Sequence, residues 1–96
     1  MSKRDEYIQK AKSELAAMSA KLDQLESEAQ GKSEQARASA KRWADDLRAK
    51  GDETAKQLEA LRASGESAFD QMKTGVQSAM HELGEAFERA RNELKR

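Results

Sequence analysis

Ninety-six residues limit the chain to one domain, and 38% of them are charged against 36% apolar, much of the apolar share being alanine. Eighteen basic and eighteen acidic residues cancel, so the chain is neither driven open by self-repulsion nor basic enough for general nucleic-acid binding. No cysteine is present, which excludes disulfides, thiolate metal sites and cysteine nucleophiles.

No proline interrupts the chain, and Ala, Glu, Lys, Leu and Arg dominate it, the composition of long helices and coiled coils. The charged opening leads into no apolar run, so neither a secretory signal nor a membrane span is expected, and the cytoplasm is the expected location.

The first element starts at Ser2, with Asp5 three residues on, a helix-start signal. Ile8, Ala11, Leu15, Met18, Leu22, Leu25 and Ala29 then follow in alternating steps of three and four. That is a heptad seam, one narrow stripe along a helix.

After Ala29 the rhythm changes. Ala36, Leu47, Leu58, Phe69 and Met80 are eleven apart, as are Trp43, Thr54, Gly65, Val76 and Phe87. Eleven residues give about 3.67 per turn, so this stripe runs nearly straight.

The chain turns at Gly65. Arg62 stands where a cation suits a helix C-terminus, and glycine there can take the left-handed C′ conformation. Ser67 and Asp70 signal the next helix start, and Arg89, Arg91, Lys95 and Arg96 end it with the dipole-correct sign.

These signals predict an all-α chain: a helix over 3–62, a turn at 63–66 and an antiparallel helix over 67–95. Folding there sets Leu61 opposite Phe69, Leu58 opposite Met72, Thr54 opposite Val76, Leu47 opposite Leu83 and Trp43 opposite Phe87. The expected hairpin core is Trp43, Leu47, Leu58, Leu61, Phe69, Met72, Val76, Met80, Leu83 and Phe87, with Trp43 and Phe87 as an aromatic layer. The facing segments differ in sign: 32–50 carry six basic and three acidic groups, 66–88 one basic and five acidic.

Five acid-before-base pairs at i, i+4 should support the solvated faces: Glu6–Lys10, Glu28–Lys32, Asp46–Lys50, Asp52–Lys56 and Glu85–Arg89.

A single domain over 1–96 thus divides into a heptad arm, 1–34, and a hairpin, 35–96. The arm has no partner inside the hairpin. Its stripe, Ile8, Leu15, Met18, Leu22 and Leu25, is expected to pair with the arm of a second chain, making a homodimer. The alternative is a further turn at Gln30-Gly31-Lys32-Ser33 and a three-helix bundle, disfavoured because a bundle helix needs a broader apolar face.

Chemistry is sparse. His81 is the sole histidine, flanked at i±4 by Gln77 and Glu85, too few ligands for a metal. Asp45-Asp46 and Asp52-Glu53 lie among lysines and arginines at salt-bridge spacing and read as solvated faces. No phosphate-cradling glycine loop and no serine with a matched base are present, so neither catalytic residues, cofactor nor metal is expected.

The stripe Phe69, Met72, Val76, Met80, Leu83, Phe87 could also lie on a lipid surface. Its polar face is acidic, however, where membrane-surface helices carry lysine and arginine, so the hairpin-core reading takes precedence.

The opening MSKRDEYI (residues 1–8), the central LRAKGDE (47–53) and FDQMKTGVQSAMHELGEAFERA (69–90) resemble a family of small bacterial coiled-coil proteins, some described as stress-response proteins. The resemblance spans nearly the whole chain and implies a bacterial cytoplasmic protein without known catalytic residues. Gly31 and Gly51 depart from what an unbroken helix prefers.

The expected function is a non-enzymatic coiled-coil scaffold that self-associates and binds a larger protein partner. The alternatives are lipid-surface binding in the manner of apolipoproteins, and a helical inhibitor or assembly factor docked in the groove of an enzyme complex.

Overall fold

The computed structural model describes residues 2–95 and is all-helical. Three helices form: α1 (Lys3–Ala29), α2 (Glu34–Ala63) and α3 (Glu66–Lys95). Arg96, expected to complete the basic end of the last helix, lies outside the described residues.

Local chemistry accounts for the starts of α1 and α2. The Ser2 hydroxyl accepts the Asp5 N–H at 3.2 Å, with Asp5 and Glu6 at the positive end of α1. The Ser33 hydroxyl accepts the Ala36 N–H at 3.2 Å and caps α2 in the same way.

The turn at Gly65 forms, but not by the expected means. Among the described residues no glycine has a positive φ. Ser64 reverses the chain instead, with φ −78° and ψ 156°, and its hydroxyl donates to the Leu61 carbonyl at 2.7 Å. Nor do Ser67 and Asp70 start α3. The first helical bond runs from the Phe69 N–H to the Gly65 carbonyl, 3.0 Å, so Ser67 already lies inside the first turn.

The uninterrupted helix over 3–62 does not form. Residues 30–33 leave the helix, as the alternative with an extra turn requires. Gln30 keeps right-handed helical angles, φ −60° and ψ −30°, the Lys32 N–H donates to the Ala29 carbonyl, and Ser33 is extended at φ −60°, ψ 160°. The physical reason is the arm's own stripe: folding back on α2 covers it at once, within the same chain.

α2 is the central element and packs along both neighbours, whereas α1 and α3 meet far more sparingly. The rod measures 50 × 20 × 17 Å. Its core has two parts. One holds Leu22, Leu25, Ala29, Ala40, Ala44, Leu47, Leu83, Phe87, Ala90 and Leu94, near the 30–33 turn. The other holds Ile8, Ala11, Leu58, Leu61 and Val76, with Phe69, Met72 and Met80 packed against it, near the 64–65 turn. Leu47 and Leu83 fall in the first part, and Leu58, Leu61, Phe69 and Met72 in the second.

Trp43 and Phe87 share a core cluster without forming the expected ring layer. Phe87 instead has the Lys21 ammonium 5.8 Å from its centroid, on the α1 side. Among the described residues every Leu, Ile, Val, Met, Phe, Trp and Tyr is at least partly covered. None of the described helices is long and apolar enough to cross a membrane.

Candidate functional site

The stripe expected to meet a second chain lies on α2 of its own chain. Ile8, Leu22 and Leu25 are buried, and Leu15 and Met18 are partly buried against the core. Leu15 packs against both core clusters and so bridges them. Beside it the seam loosens into a groove of about 330 Å³ lined by Leu15, Met18, Leu22, Leu47, Arg48 and Gly51. Buried Thr54 also falls in this stretch, its hydroxyl satisfied by the Lys50 carbonyl at 2.9 Å.

Two sets of ion pairs fasten the seam. Arg48 on α2 reaches two carboxylates of α1: Nη1 donates to Glu26 Oε1 and Nη2 to Asp23 Oδ1, each at 2.6 Å. Those bonds, Glu26's first, raise the guanidinium further above its ordinary range. Eleven residues away along each helix, Lys12 Nζ lies 3.0 Å from Glu59 Oε1. The Lys12 hydrogen bond, then its charge and that of Arg62, hold Glu59 below its usual carboxylate range.

Sequence reasoning missed these pairs because it treated the arm as external to the hairpin. A signal was present: Lys12 and Asp23 on one helix, and Arg48 and Glu59 on the other, share an eleven-residue spacing and the same charge order, basic before acidic, which antiparallel packing turns into complementary pairs.

Of the five same-helix pairs expected, Asp46–Lys50 forms, at 3.3 Å. Lys41–Asp45 forms in the reverse order, and Glu85 pairs with His81 rather than Arg89. His81 stays on the exposed face, as expected of a helical surface residue. Among the described residues no three of His, Cys, Asp or Glu converge as metal ligands would.

Beyond the shared core, ring and cation contacts join α1 to α3. Tyr7 meets Phe69 edge to face, with centroids 6.2 Å apart and planes at 86°. Arg4 lies over the Phe69 ring at 5.4 Å and Lys73 over Tyr7 at 5.0 Å. Between these contacts the side opens to solvent, as in the shallow groove of about 170 Å³ between Lys21, Leu25 and Phe87.

Burial, and then the Glu14 charge, push the Tyr7 phenol above its ordinary 10.0. A raised phenol favours the protonated form in the folded chain. Its stabilising share is whole below pH 10.0 and is lost as pH rises through the folded value. Tyr7 is the single tyrosine, so ultraviolet titration of the phenolate reads it alone. The expected midpoint lies above 10.0 in the folded chain and falls in denaturant; equal midpoints would show that the α1–α3 contact does not shield it.

The arrangement is a helix–helix seam: a narrow apolar stripe, flanking ion pairs, and one open side. Its chemistry is recognition of a helix by a helix. No family model, no curated protein and no solved structure matches this chain.

Proposed function

We propose that this chain is a non-enzymatic helical interaction protein, a three-helix bundle that self-associates through α1 and presents its charged faces to a larger protein. The supporting observation is the one-sided seating of α1. It lies along α2 on a narrow stripe fastened by Arg48 and Lys12, and meets α3 far more sparingly. A helix seated on one side is the natural contact element, because that seam has the apolar stripe and flanking charges of helices that pair between chains.

The resemblance to small bacterial coiled-coil proteins belongs to the same proposal, which sets the chain in the bacterial cytoplasm and in a stress response. Lipid binding is less well supported. The outward positions of α3 include exposed Glu66, Asp70, Glu82, Glu85 and Glu88, which anionic headgroups repel.

Sedimentation velocity over a concentration series, micromolar to millimolar, tests the proposal. A dimer fraction that grows with concentration is expected. A compact monomer at every concentration would overturn it.

A further inference from the structure

The ladder of flanking charges has a rung that the single copy leaves unmade. On α1 it runs Lys12, Asp23; on α2 it runs Glu59, Arg48 in the opposite direction. Both pairs are centred, in sequence, between Gln35 and Ala36. The next step of eleven on each side leads to Glu34 and to Arg37. These two are opposite in sign, as the ladder requires. Yet both lie in the first turn and a half of α2, and among the described residues neither side chain has an ion-pair partner.

The apolar stripe says the same. Leu22, Leu25 and Ala29 are followed, after a step of seven, by Ala36, Ala40, Trp43 and Leu47. Ser33 stands four residues after Ala29 and three before Ala36, so at the helical period the stripe stays on one face across the turn, although its repeat changes from seven to eleven.

The turn itself offers little resistance. It contains no left-handed residue and Gln30 is already helical, so straightening turns Ser33 from extended to helical and gives up its one cap on the Ala36 N–H. Gln30, Gly31, Lys32 and Ser33 are all exposed, so straightening them uncovers no core.

We infer that two copies of this chain exchange their α1 helices, with residues 30–33 straightening so that α1 and α2 become one helix paired antiparallel with its counterpart in the second copy. This rests on the proposed self-association and gives its geometry. Each α1 then covers the other copy's α2 through the contacts already present in the monomer, which is why exchange costs little. The third rung forms at the two-fold axis: Glu34 of each copy faces Arg37 of the other, twice by symmetry. The two Arg37 side chains also approach each other there, where the same register sets Arg48 against Glu26. The central rung is therefore weaker than the Arg48 clamp, and the exchange is reversible. Small residues, Gly31, Ser33 and Ala36, let the paired helices approach at the axis.

The pairing makes a rod of about 90 Å at 1.5 Å per residue, where the monomer spans 50 Å. Proline at position 34 separates the two states. It fits the first position of α2, after a Ser33 that already has the extended conformation proline demands of its predecessor. In a continuous helix it removes a hydrogen bond and clashes with the preceding turn.

The experiment uses the full chain, refolded at millimolar concentration from an equal mixture of light and nitrogen-15-labelled protein. Size-exclusion scattering reads length and mass, and carbodiimide coupling of Lys12 to Glu59 reads which copy supplies α1. Expected are a dimer near the longer length, with Lys12–Glu59 cross-links joining light to heavy chains. Glu34→Pro should weaken that dimer about a hundredfold or more while leaving a folded monomer by circular dichroism. Arg37→Glu should weaken it about tenfold, the scale of two exposed pairs made repulsive, and Glu34→Arg with Arg37→Glu should restore it.

A dimer untouched by Glu34→Pro, with only light–light and heavy–heavy links between Lys12 and Glu59, would overturn the exchange and leave self-association standing. A monomer at every concentration would overturn both.

Discussion

Leu58→Ala should destabilise the folded chain by about 3 kcal/mol, within the 2–5 kcal/mol range for such truncations. Leu58 is 0% exposed and sits on the central helix. Its cluster draws Ile8 and Ala11 from α1, Leu61 from α2 and Val76 from α3. Removing it opens a cavity where all three helices meet, and none can close it without leaving the others. A domain of this size has about 5–15 kcal/mol in all, so the loss is a large fraction of the whole. The melting temperature should fall by about 15 °C, since each kcal/mol is worth about 4–8 °C at this length. Thermal and urea unfolding followed by circular dichroism measure it, with the exposed Lys56→Ala as a control expected within about 0.5 kcal/mol. A Leu58→Ala loss below about 1 kcal/mol would mean that the three helices do not close on one core there.

Why was the second turn the leading reading of the sequence and the first only the alternative? At 64–65, serine and glycine follow a basic last turn, and the stripes on either side pair only if the chain reverses there. At 30–33 the repeat changes but the stripe stays on one helical face, so periodicity alone continues the helix. The cap that stops it, Ser33, has alanine three residues on and not the glutamate of a capping box. Pattern reading offered both a straight segment and a turn at Gln30-Gly31-Lys32-Ser33, and preferred the straight one because the narrow stripe argued against a bundle.

The core was legible for the same reason that the turn at 65 was: Leu47, Leu58, Leu61, Val76, Leu83 and Phe87 repeat at the helical period and are buried. The charges were not. An exposed i, i+4 pair is worth a few tenths of a kcal/mol, too little to fix a side chain when a better partner lies across the seam. Arg48 shows this. It holds two carboxylates of α1 at 2.6 Å, while Asp45 on its own helix stays 3.9 Å away. The seam residues Ile8, Leu22 and Leu25 were found as a contact surface; what covers them was not, because a stripe carries no mark of whose helix it meets.

Replacing Gly51, Gly75 and Gly84 together by alanine should stabilise the chain by about 3 kcal/mol, about 1 kcal/mol for each glycine removed from a helix interior. Gly51 lies within α2, and Gly75 and Gly84 within α3. A Cβ built at any of them meets nothing within 4 Å, so no neighbour has to yield, and none of the three has a positive φ. They are well separated, and the gains should add. The melting temperature should rise by about 15 °C on the same scale; no rise, or a fall, would show that one of these glycines is needed for close packing. The consequence reaches the arm exchange. All three positions are helical in the compact monomer and in the exchanged dimer alike, so the triple variant should leave the monomer–dimer equilibrium where it was. It should slow the approach to that equilibrium, because the helices that must part are steadier. Gly31→Ala should do the reverse. Residue 31 is helical only when the turn straightens, so alanine there favours the dimer by about 1 kcal/mol per chain, near thirtyfold in its dissociation constant for the two chains together. Sedimentation of the two variants beside the parent separates a glycine that weakens helices from a glycine that keeps a hinge.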